Sequence, residues 1–174
     1  MKIIFLANTS WNIYNYRIDL VKHFENLGHE VQVVSPKDRY TPFILNKEIT
    51  WSDISLSQHG MDPLVDFKTF LEIVRLYRTE KPDLASHFTI KCVLYGSFAA
   101  KLAGVDRVIN NITGLGFLFS DARIKIRILK AFVILLYRLA LKNTTVIFQN
   151  PDDKTFFLKK KIITEEQTRL IAGS

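Results

Sequence analysis

Apolar residues occur in short runs that alternate with longer segments of helical spacing. Lys2–Ala7 has the form of a buried strand, and Ile18, Leu20, Val21, Phe24 and Leu27 then mark one face of a helix. Gly28 predicts a left-handed cap for that helix. A second strand is predicted over His29–Ser35 and a weaker third over Ile49–Ser57. Phe67, Phe70, Leu71, Val74 and Tyr77 form the stripe of a helix that must stop before Pro82. Asp83–His87 reads as the fourth strand. The helix after it, about Val93–Ala103, carries the small residues Gly96, Ser97, Ala99, Ala100 and Ala103 and is closed by Gly104. Arg107–Ile112, Thr145–Phe148 and Arg169–Ala172 complete the strands. This alternation predicts βαβ units: an α/β fold with an open parallel β-sheet and helices on both faces.

The length of 174 residues fits one domain, and the 48% hydrophobic and 24% charged residues are globular proportions. A net charge of +7 adds an anionic partner to the picture: a nucleic acid, a lipid headgroup surface or a phosphorylated substrate. Nucleic acid is set aside, because no recognition-helix or aromatic-platform pattern accompanies the charge. The single cysteine, Cys92, excludes an internal disulfide, disfavours a structural zinc site and suits a reducing cytoplasm. The apolar start of the chain is too short for a signal peptide and lacks a cleavage-like site, and no long uncharged run suits a bilayer span.

In an open α/β sheet, ligands bind beyond the carboxyl ends of the strands. Three polar motifs fall there: Ser86–Lys91, Asn110–Gly116 and Phe148–Asp153. His87, Thr89 and Lys91 bring an imidazole, a hydroxyl and an ammonium to one strand end. Together these can hold a phosphate or sugar hydroxyl and pass a proton, while a lone histidine is equally at home as a hydrogen-bonded structural residue. Gly114 and Gly116 make a lone G-x-G that suits either a ligand loop or a tight turn. Asn150-Pro151-Asp152-Asp153 has the form of an ordinary helix start with Asn150 as N-cap. Arg17, beside Asn15 and Tyr16, suits an anion-binding loop or the opening of the first helix. The loop Ala7–Asn12 contains no glycine, which argues against a dinucleotide turn. Cys92 has no nucleophilic partners in sequence and reads as a packing residue.

Arg123–Lys142 has an unusual helical wheel. Arg123, Arg127, Lys130 and Arg138 share a narrow face, and aliphatic residues cover most of the remainder. That arrangement suits a helix lying in an anionic membrane interface, or equally a sheet-packed helix with a solvated basic edge or one covered by a second domain.

At these motifs the chain resembles the N-terminal domain of a family 4, GT-B-fold glycosyltransferase of bacterial lipid-linked oligosaccharide, capsule or O-antigen synthesis. The resemblance spans Met1 to Ser174. It rests on Asn15-Tyr16-Arg17, Gly28-His29-Glu30-Val31, Lys81-Pro82-Asp83, His87–Lys91, Tyr95-Gly96-Ser97, Ile112–Gly116 and Phe148–Asp153, in that order and spacing. Cys92 and Ala172 depart from it, standing where such sequences commonly carry proline.

The resemblance implies one Rossmann-like half (residues 1–174, the acceptor side) of a two-domain enzyme that retains anomeric configuration and needs no metal or other cofactor. A nucleotide-sugar donor would be bound mainly by a C-terminal domain absent from this sequence and supplied in cis or as a separate chain. His87 is the expected catalytic residue. Asn15, Arg17, Thr89, Lys91, Thr113, Gly114 and Gly116 are the expected contacts to a lipid-linked glycan acceptor. The isolated chain is expected to be inactive and to sit peripherally on the inner face of the cell membrane. The other reading is a non-catalytic membrane-recruiting or scaffolding subunit of a split enzyme.

Overall fold

The computed structural model describes residues 1–57, 62–114 and 124–171, with side chains omitted over 124–129. Seven strands form one sheet: β1 (Lys2–Leu6), β2 (Glu30–Val34), β3 (Thr50–Ser52), β4 (Leu84–Phe88), β5 (Arg107–Ile112), β6 (Thr145–Phe148) and β7 (Thr168–Leu170). Their spatial order is β3-β2-β1-β4-β5-β6-β7, and every pairing is parallel. The predicted open parallel sheet is therefore the observed one. The chain reverses its direction of travel across the sheet between β1 and β4, which makes their carboxyl ends the switch point where ligands collect.

The strands are buried on both faces, and the period of two in β1 divides the core. Ile3 and Phe5 join Val31, Val33, Ile44 and Phe88 on one face, while Ile4 and Leu6 join Ile73, Tyr77 and Ala85 on the other. Each buried Val, Ile, Leu or Phe among them contributes on the order of 1.5–3 kcal/mol by leaving water. The first face is covered by α1 (Ser10–Tyr16), α2 (Ile18–Asn26) and α3 (Thr41–Leu45). The second is covered by α4 (Pro63–Glu80), α5 (Ile90–Ala103) and α6 (Ile124–Ala140), with α7 (Pro151–Lys159) beside β6.

Local chemistry sets the ends of these helices. Asp62 accepts from Leu64 N–H and Val65 N–H at the start of α4, with Pro63 in the first turn. Gly104 takes φ +74° to close α5, the conformation that glycine adopts without strain. Asn150 caps α7 by accepting from Asp153 N–H, as its sequence indicates. Three expectations shift. The helix predicted from Ile18 is preceded by a short additional one, α1, and Arg17 (φ −130°, ψ −5°) both ends α1 and stands at the N-cap of α2, the opening that its place in the sequence suggests. The third strand shrinks to three residues, and α5 begins at Ile90, three residues earlier than its small-residue stripe suggests. Ala172 lies outside the described residues.

Candidate functional site

The ends of β1, β4 and β5 surround a cavity of about 260 Å³. Thr89, Ile90 and Lys91 line it after β4, Thr113 and Gly114 after β5, Asn8 after β1, and Ser57 from the segment beyond β3. Four of the residues expected there from sequence are thus brought together: Thr89, Lys91, Thr113 and Gly114. Gly116 lies outside the described residues. Asn8 and Ser57 were missed. Asn8 ends the strand at the switch point and was recognisable by that place alone, whereas nothing in the sequence marks Ser57.

Thr89 controls the floor of this cavity. It holds φ +76° and ψ 157°, a region that is essentially confined to glycine. In that conformation its side chain does not cap α5, and its Oγ1 is buried without a hydrogen-bond partner. The first N–H groups of α5 therefore lack the usual capping oxygen, and Ile90 and Lys91 of that turn line the cavity, an arrangement that suits an anion. Lys91, in the same turn, adds an ammonium that pairs with Asp66 of α4 at 2.8 Å. Both side chains are mostly shielded from water.

His87 does not line this cavity. Its side chain points from β4 into the layer beneath α4 and α5 and is completely buried. Nδ1 lies 2.8 Å from Asn110 Oδ1, and Nε2 lies 2.9 Å from the Tyr77 hydroxyl. An amide oxygen only accepts, so Nδ1 carries the proton and Nε2 accepts from Tyr77. Asn110 Oδ1 also accepts from Ser97, and Asn110 Nδ2 donates to Thr144, whose hydroxyl donates to the Leu141 carbonyl. Burial lowers the His87 pKa to about 4, a shift the Asn110 hydrogen bond partly opposes. This neutral imidazole is enclosed by partners, so the geometry corrects the expectation of a proton shuttle in the cleft. Cys92 is buried too, its thiol pushed up to about 12 by burial, in keeping with a packing residue.

Asn15 and Arg17 are also absent from the cavity wall. Asn15 donates to the Trp11 carbonyl on its own helix. Arg17 lays its guanidinium 5.0 Å from the centre of the Phe88 ring. Burial lowers its pKa, and its Nε is buried without a partner.

Two residues of the basic stripe of α6 have described side chains, Lys130 and Arg138. Arg138 turns to the end of α7 and donates to the carbonyls of Lys160 and Lys161 at 2.9 and 3.0 Å. The Arg138 side chain stays exposed while it makes these bonds, so it ties α6 to α7 at the surface. Lys130 is half-buried, and Arg123 and the Arg127 side chain lie outside the described residues. Among the described residues no helix is long and apolar enough to cross a membrane.

The glycosyl transferase 4-like family model matches residues 2–150. The chain belongs to that family. It is 26% identical over 157 residues to the Campylobacter jejuni N,N'-diacetylbacillosaminyl-diphospho-undecaprenol alpha-1,3-N-acetylgalactosaminyltransferase. That alignment takes in 90% of this chain and 42% of the relative, so the chain spans less than half of that enzyme's length. Among solved structures, a Rickettsia africae glycosyltransferase superposes with a TM-score of 0.73 at 14% identity, over 98% of this chain and 42% of that one. MurG of Acinetobacter baumannii gives 0.65 at 12%, over 99% and 45%. The UDP-GlcNAc 2-epimerase of Methanocaldococcus jannaschii gives 0.69 at 15%, over 99% and 46%. These likenesses establish one half of a GT-B architecture. An epimerase shares it with transferases, so the fold alone does not choose the reaction.

Proposed function

We propose that this family 4-like chain is the acceptor-side half of a retaining glycosyltransferase in surface polysaccharide synthesis. The acceptor is a glycan on a lipid diphosphate, and the donor is a nucleotide sugar bound mainly by a second domain. The observation that carries the reading is the cavity at the switch point, where the uncapped N-terminus of α5 and the Lys91 ammonium converge. Fixed N–H dipoles beside a shielded cation favour a phosphate group. The hydroxyls of Thr89, Ser57 and Thr113, with the Asn8 amide, offer partners for sugar hydroxyls.

In the transfer, an acceptor hydroxyl oxygen bonds to the anomeric carbon while the bond from that carbon to the nucleoside diphosphate breaks. The hydroxyl proton leaves with the diphosphate. This chain's residues bind and orient the acceptor, and orientation supplies up to roughly 7–11 kcal/mol of barrier reduction in well-aligned reactions. On this reading the 174 residues alone carry no complete donor site and transfer no sugar. A membrane-lipid acceptor supports a peripheral position on the inner face of the membrane.

Calorimetry tests the reading. Inorganic diphosphate should bind the chain in the millimolar range or tighter, and Lys91→Met should weaken binding about tenfold, the scale of one charged hydrogen bond. A UDP-sugar should show no saturable binding beyond that of its diphosphate. Tight nucleotide-sugar binding, or transfer by the purified chain, overturns the assignment to the acceptor side.

A further inference from the structure

A second cavity, about 600 Å³ and open to solvent, runs along the seam between α4 and α5. Its walls are Phe67 and Phe70 of α4 and Tyr95, Phe98 and Leu102 of α5. Phe67 and Leu102 remain 60% and 58% exposed, and Leu71 of α4 and Phe132, Leu135 and Leu139 of α6 are exposed as well. A groove walled by exposed aromatic and aliphatic side chains is the kind of apolar surface that marks a binding face.

The groove adjoins the polar cavity. Asp66 lines the groove, Lys91 lines the cavity, and the two side chains pair at 2.8 Å as the partition between them. A ligand with a charged head and a long hydrocarbon tail would meet both: anion at the α5 N-terminus, chain along the seam. From Lys91 to Leu102, α5 rises ~16 Å at its regular 1.5 Å per residue, room for roughly three isoprene units. Lys101, at the far end, donates to the Leu139 carbonyl and lies 6.0 Å from the Phe98 ring, so the floor there is tied to α6.

We infer that the α4–α5 groove holds the first isoprene units of a polyprenyl diphosphate whose phosphates occupy the adjoining cavity. The inference rests on the lipid-linked acceptor proposed above and names the part of this chain that takes its tail. Polar contacts at the switch point fix the head, and the apolar seam directs the tail away from it toward the bilayer. Longer tails leave the groove beyond Leu102.

Binding of inorganic diphosphate and of farnesyl diphosphate to the 174-residue chain separates the two ideas. Farnesyl diphosphate should bind at least tenfold more tightly. The double variant Phe67→Ser, Leu102→Ser, at two exposed positions, should abolish that preference while binding inorganic diphosphate as before. Equal affinities in the unaltered chain overturn the groove and leave the cavity reading standing. No binding of either ligand overturns both. If the double variant keeps the preference but no longer binds neutral phosphatidylcholine vesicles, the seam contacts the bilayer and not the acceptor tail, and the inference fails.

Discussion

The His87 imidazole fills the space that a side chain on Gly96 would need: a Cβ at Gly96 would lie 2.6 Å from both Cδ2 and Nε2 of His87. Strand β4 and helix α5 approach each other across that contact. It explains why a glycine is placed in the interior of a helix, where it ordinarily costs stability.

Gly96→Ala should therefore destabilise the fold despite the better helix propensity of alanine. Overpacking a rigid ring costs about 1–3 kcal/mol, against a gain of about 1 kcal/mol from propensity. A net loss of about 1 kcal/mol is expected in urea unfolding. An equal or higher midpoint would show that the ring shifts freely, contrary to its two hydrogen bonds.

His87 also makes stability depend on pH. Its folded pKa, about 4, lies below the ordinary 6.5, so the unfolded chain binds the extra proton first. The sign follows: stability is complete above pH 6.5, falls as pH drops through the interval, and falls no further below the folded value. The shift corresponds to about 3 kcal/mol in all, of which about 2 kcal/mol is lost by pH 5. In His87→Gln this component should vanish. The check is the change in urea midpoint between pH 7 and pH 5 in both proteins; equal changes would exclude His87 as the source.

The strand sequence was legible because β1, β2, β4, β5 and β6 are short apolar runs between helical stripes, and burial on both faces leaves that pattern little alternative. The cavity was legible in part for the same reason: Thr89, Lys91, Thr113 and Gly114 end two neighbouring strands, and ends of neighbouring strands converge. His87 misled because Thr89 and Lys91, just beyond it, line the cavity, while its own side chain turns beneath α5. Sequence places a residue at a strand end but does not show that Tyr77, 10 residues away, and Asn110, 23 away, claim both ring nitrogens. The partners of Arg138 were hidden from sequence in a similar way. A helical wheel shows which residues share a face, and the arrival of the α7 terminus at that face is tertiary information.

Thr89 invites a test of strain at the site. Its φ and ψ belong to glycine, and such a conformation costs on the order of 1–3 kcal/mol. Thr89→Gly removes that cost and gives back about 0.5–1 kcal/mol in unfolded-state entropy. The variant should gain about 1 kcal/mol in stability and lose affinity for a glycan-bearing acceptor through loss of the hydroxyl. A destabilised variant with intact acceptor binding would place the threonine in a purely structural role.

Arg138 gives the last expectation. Its Nε and one terminal nitrogen donate to the carbonyls of Lys161 and Lys160, groups at the negative end of α7 that otherwise lack intrahelical partners. The side chain is exposed, so water competes, and Arg138→Ala should cost about 1 kcal/mol, within the usual range for a net hydrogen bond. Arg138→Lys should recover little of it. A lysine carries the same charge, but its single ammonium cannot reproduce the planar fork that reaches two carbonyls at once. Full recovery by lysine would mean that the charge near the helix end matters and the geometry does not. The same pair of variants bears on the membrane reading. If Arg138 serves α7, both should bind anionic vesicles as the parent does, and a drop in vesicle binding confined to Arg138→Ala would return this cation to the membrane-facing stripe.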